Sequence, residues 1–94
     1  MRTLRGQLND YALPIFNMNG SSASSIAEEY LAALHAVKAA REAVAVTTCH
    51  GRDFQMQEPA VFTQAQCERT IALTHLDAVL DHIDAWLGHA LDHS

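Results

Sequence analysis

The chain has 94 residues, enough for one small domain with a modest core. Hydrophobic residues make up 49% of it and charged residues 18%, which excludes an intrinsically disordered chain. The formal net charge is −5 with six histidines counted neutral, and from Ala60 onward five acids stand against one base. Phosphates repel such a surface, so direct binding to nucleic acid or anionic lipid is disfavoured and a basic protein surface is the better match.

Two cysteines, Cys49 and Cys67, do not make a disulfide framework and read as free thiols of a reducing cytosol. No charged-then-apolar leader and no apolar run of membrane-spanning length is apparent. The expectation is a soluble cytoplasmic protein with no membrane contact.

Residues 1–20 are ambiguous. Leu4, Leu8, Tyr11, Ala12 and Ile15 fit a short helix broken by Pro14, whereas Tyr11 to Met18 fit equally an extended arm laid over a core. Arg2 and Arg5 give the segment a local positive charge, and Asn17 to Ser22 is turn chemistry.

A helix is predicted over about 26–46. Ser25 with Glu28 reads as a capping box, and Glu28 and Glu29 suit the positive end of the dipole. Tyr30, Leu34, Val37, Arg41 and Val44 share one stripe, and eight alanines between Ala27 and Ala45 favour helix and allow close approach of a neighbour. Residues 47–59 connect this helix to the next. Gly51 is expected to supply a left-handed cap, His50 to face the negative pole of the dipole, and Pro59 to occupy the first turn of the next helix.

The last third, about 60–93, is predicted as one long amphipathic helix. Ala65, Ala72, Leu76, Val79, Ile83, Trp86 and Ala90 step by threes and fours, interrupted at Arg69, and Leu73, Leu80 and Leu87 step by seven beside them. The fold class is therefore all-α, an antiparallel helical hairpin with an N-terminal arm or short helix. Closed at the loop, the hairpin leaves the longer helix overhanging near Ile83 to Leu91. Bare apolar side chains there demand a cover. Leu80, Ile83, Trp86 and Leu87 are the expected oligomer interface, with Leu8, Tyr11, Leu13, Ile15 and Phe16 of the arm as further cover.

His75, His82 and His89 recur every seven residues, with His93 one turn after His89. At about 10 Å per heptad the three cannot share one ion. His89 and His93 have the spacing for one metal with Asp92 nearby, or for a pH-sensitive interface, but the row reads first as the wet flank of the apolar stripe. No metal, cofactor or catalytic set is expected. Asp77, Asp81 and Asp84 form the candidate contact for a basic partner. Arg52 and Phe54, with Tyr11, are the alternative: a guanidinium for an anionic or nucleotide ligand and aromatic rings to stack on it.

From the loop onward, His50-Gly51-Arg52-Asp53-Phe54, then Phe62, Ala65, Glu68-Arg69 and the leucine-rich helix resemble small uncharacterised proteins encoded by bacteriophages and prophages. The resemblance covers roughly the second half of the chain and carries over no functional residue. It implies a class. Accessory proteins of this size act by binding and blocking a host defence protein, and others are oligomeric sponges that sequester cyclic nucleotide signals. The expectation is a non-catalytic, homo-oligomeric binding protein of the first kind in the host cytoplasm. The sponge is the alternative, and a metal-dependent enzyme using the histidines comes third.

Overall fold

The computed structural model describes residues 11–17 and 20–94. They form two antiparallel helices, α1 (Ala23–Ala45) and α2 (Pro59–Asp92), joined through a 3-10 turn at Gly51–Phe54. No strand occurs among the described residues, and none of their helices is long and apolar enough to cross a membrane.

α1 begins one turn before the expected box. Ser22, in extended conformation, is the N-cap, and its hydroxyl oxygen accepts from the backbone N–H of Ser25 at 3.1 Å. Ser25 therefore lies inside the first turn, and an earlier serine of the same run supplies the cap. Pro59 starts α2 as predicted, where its missing N–H costs nothing.

Gly51 is not a left-handed cap: no glycine among the described residues has positive φ. It opens the 3-10 turn instead, and the Nδ1 of His50 accepts from the backbone N–H of Arg52 at 3.1 Å. The end of α1 is closed by other groups. The Thr47 hydroxyl donates to the Val44 carbonyl at 2.7 Å, and the Arg69 guanidinium donates to the carbonyls of Ala45 at 2.8 Å and Thr47 at 2.5 Å. Arg69, the interruption in the apolar seam, is thus spent on the orphan carbonyls of the neighbouring helix end.

The pairing of the helices corrects the expected overhang. Tyr30 stacks on Trp86 with ring centroids 5.2 Å apart, Arg41 meets Asp77, and Arg69 meets the last turn of α1. At ~1.5 Å per residue α1 is roughly 35 Å long and α2 roughly 51 Å. The register places the surplus at the start of α2, not at Ile83 to Leu91. The chain turns at Val46 and Thr47 and runs on past the end of α1, with His50 extended, before the 3-10 turn brings Gly51 against Phe62. Phe54 of that turn lies on Phe62 of the surplus, 5.5 Å between ring centroids.

The core sits at the opposite end. Ala23, Ala27, Ile83, Leu87 and Ala90 are buried, Ala90 completely. Phe16, Ile26, Tyr30 and Leu34 pack against Ala27, Leu87 and Ala90. Alanines of both helices share this contact with Leu87, and the larger half-buried side chains pack against them.

Candidate functional site

Residues 11–17 are not helical: this part of the expected arm or short helix has no regular secondary structure, and residues 1–10 lie outside the described residues. Tyr11, Pro14 and Phe16 are half-buried, whereas Leu13 and Ile15 face out, Ile15 at 90% exposure. Leu8, Arg2 and Arg5 lie outside the described residues.

The arm docks along the histidine row. Tyr11 meets His82 edge to face at 5.0 Å, and Phe16 stacks on His89 at 5.6 Å and lies 6.0 Å from His93. The Nε2 of His89 donates to the Pro14 carbonyl at 2.6 Å, and the Nδ1 of His93 donates to the His89 carbonyl at 2.8 Å. The heptad spacing thus makes a seat for the arm, while His75, one step further along, is exposed. Each of His89 and His93 commits one ring nitrogen to a carbonyl. No group of three or more His, Cys, Asp or Glu among the described residues has the arrangement to hold a metal ion.

The Tyr11 hydroxyl is shut off from solvent with no hydrogen-bond partner among the described residues. Loss of solvation, and then the charge of Asp81, raise its pKa above the ordinary tyrosine range.

The three aspartates do not form one solvated face. Asp77 binds Arg41 in a fork, Nε to Oδ1 at 2.5 Å and Nη2 to Oδ2 at 3.3 Å, across the hairpin. That contact, first through its hydrogen bond and then through its charge, raises the Arg41 pKa. Asp81 is half-buried and close enough to act on Tyr11. Asp84 is exposed, as is Asp92 two turns on. Sequence spacing alone missed Arg41 as a partner for Asp77, although a base within the apolar stripe of α1 was a visible signal.

The expected oligomer interface is largely internal. Ile83 and Leu87 are buried, Trp86 stacks on Tyr30, and Leu80 is half-buried. With the surplus of α2 at its other end, these side chains find their cover in α1 and the arm. Large hydrophobics that remain exposed on α2 are Ile71, Val79 and Leu91, and Leu31 is exposed on α1.

The alternative ligand set is not brought together in one chain. Tyr11 sits at His82, while Phe54 sits at Phe62, about 30 Å away along α2 at ~1.5 Å per residue. The Arg52 guanidinium lies over the His50 ring, with nitrogens 3.5 Å apart. An anionic ligand using all three residues requires Tyr11 from one subunit and Arg52 and Phe54 from another.

A groove that the sequence did not advertise opens between the first turns of α1 and the last turns of α2. Ser24, Ala27, Glu28 and Leu31 line one side, Leu87, Leu91 and Ser94 the other, around a cleft of about 270 Å³. A second cleft of about 210 Å³, at Cys49, Gln66, Arg69 and Thr70, is polar and follows from the Arg69 cap. Comparison with protein-family models, curated proteins and solved structures found no match.

Proposed function

We propose that the protein is a non-catalytic binding protein of the phage accessory kind, which blocks a host protein by docking on a basic surface. The observation that carries this reading is the exposed end of α2. Asp84 and Asp92 lie open beside the exposed Leu91, and no lysine or arginine follows Arg69. Acidic charge around an apolar contact gives fast, oriented association with a basic protein and keeps nucleic acid away. The short likeness of His50 to Phe54 and the helix after it to phage and prophage proteins supports the class, and the site of action is then the host cytoplasm. Asp77 and Asp81 contribute charge but are engaged elsewhere, so Asp84 and Asp92 are the contact residues. Self-association belongs to the same reading. It covers Ile71 and Val79, which stand on other sides of α2 from Leu91 by helical spacing.

The test is affinity capture from host extract with the wild-type chain and with Asp84→Lys/Asp92→Lys, washed at rising salt. A partner held by the wild type, released by salt and lost by the variant is expected. The same partner held equally by the variant overturns the reading. Native mass spectrometry reports the subunit number, and a monomer overturns the self-association.

A further inference from the structure

We propose that the groove between the start of α1 and the end of α2 is a seat for an amphipathic helix of the partner protein, one whose apolar stripe is flanked by lysine or arginine. This rests on the reading above and names the surface and the chemistry of what fills it.

The floor is small and apolar. Ala27 and Leu87 are buried, and Ser24 adds no bulk, so a guest helix can approach closely. The walls are Leu31, 44% exposed, and Leu91, 57% exposed. Two leucines facing one cleft of about 270 Å³ offer room for one or two large apolar side chains of a guest. Apolar anchors recurring every three or four residues on a helix fit such a groove. The arm does not compete for it: Pro14, Ile15 and Phe16 border a separate cleft with Ile26 and Trp86.

The charge at the rim selects the occupant. Glu28 lines the groove, Asp84 stands two turns before Leu91 on the same row of α2, and Asp92 follows Leu91. All three are exposed carboxylates. Lys38, two turns beyond Leu31 on its row, marks where the acidic zone stops. A second copy of the chain in this groove would bring the same carboxylates against each other, and an acidic guest would do the same. A basic guest pairs with them.

The probe is a labelled synthetic helix of leucine and lysine, with leucines at one helical face, and a control in which glutamate replaces every lysine. Fluorescence anisotropy reads binding to the full chain. The lysine peptide is expected to bind and to weaken as salt rises, and the glutamate peptide is expected not to bind. Leu31→Glu/Leu91→Glu is the deciding variant. It adds two negative charges at exposed positions, so circular dichroism should show the fold unchanged. Seated binding is expected to fall at least tenfold in it, whereas mere charge attraction would strengthen. Equal or tighter binding by the variant overturns the proposal. So does a wild-type dimer that this variant dissociates, because the second copy is then the occupant.

The same variant separates the two readings in host extract. Capture lost with Asp84→Lys/Asp92→Lys but kept with Leu31→Glu/Leu91→Glu overturns the groove and leaves the acidic docking reading standing. Capture kept by both variants overturns both.

Discussion

Arg69 of α2 donates to the carbonyl of Ala45, the last residue of α1, at 2.8 Å. Its other terminal nitrogen reaches Thr47. One planar guanidinium therefore ties the end of one helix to the side of the other. Arg69→Ala should lower stability by about 1–3 kcal/mol, the usual loss for a charge-assisted bond. Urea unfolding measures it. Arg69→Lys should recover only part, since an ammonium lacks the fork that spans two carbonyls. Full recovery by lysine would mean that only the charge matters.

Arg41 and Asp77 pair across the hairpin in its observed register. Arg41→Asp and Asp77→Arg should each lower the melting temperature, and the double exchange should restore part of it. The partial rescue is expected to shrink at high salt, because both side chains are partly wet. Two single changes that add without rescue would count against the pairing.

The arm should leave the hairpin when its aromatic contact is lost. Phe16→Ala removes the stack on His89 and the packing on Ala27, Leu87 and Ala90. A red shift of Trp86 fluorescence and faster proteolysis near residues 11–17 are expected, with helicity retained. An unchanged protease pattern would show that the Pro14–His89 hydrogen bond and the Tyr11–His82 contact hold the arm without Phe16.

Tyr11 should ionise later than free tyrosine. Its folded pKa is raised by lost solvation and by Asp81, so the associated stability is present below about pH 10, the unfolded tyrosine value. It is lost as pH rises through the higher folded value. Absorbance titration near 295 nm of the wild type and of Tyr11→Phe isolates this tyrosine. Tyr11→Phe should leave thermal stability at neutral pH equal or higher, because the hydroxyl it removes has no partner among the described residues.

Ala90 is fully buried, in one cluster with Ala27 of α1 and Leu87 of α2. Ala90→Leu should destabilise by about 1–3 kcal/mol through overpacking. Thermal unfolding checks it, and a neutral result would mean that the helices separate easily at this end.

The sequence by itself determined the two helices, the proline start of the second and the apolar periodicities that pair them. Those are local choices: alanine-rich runs, a first-turn proline and steps of three and four act within a few residues of themselves. It also set out the heptad of histidines, which spacing alone does. Tertiary structure decided what these features are for. Whether the connection reverses at the end of α1 or beyond it fixes the register of the whole hairpin. Three- and four-residue periods on two long helices are satisfied at several registers. Once the connection ran past α1, Ile83 and Leu87 became core, the histidines became the seat of the arm, and Asp77 came opposite Arg41. Leu31 and Leu91, far apart in the chain, came to share one groove because antiparallel packing brings the start of one helix to the end of the other.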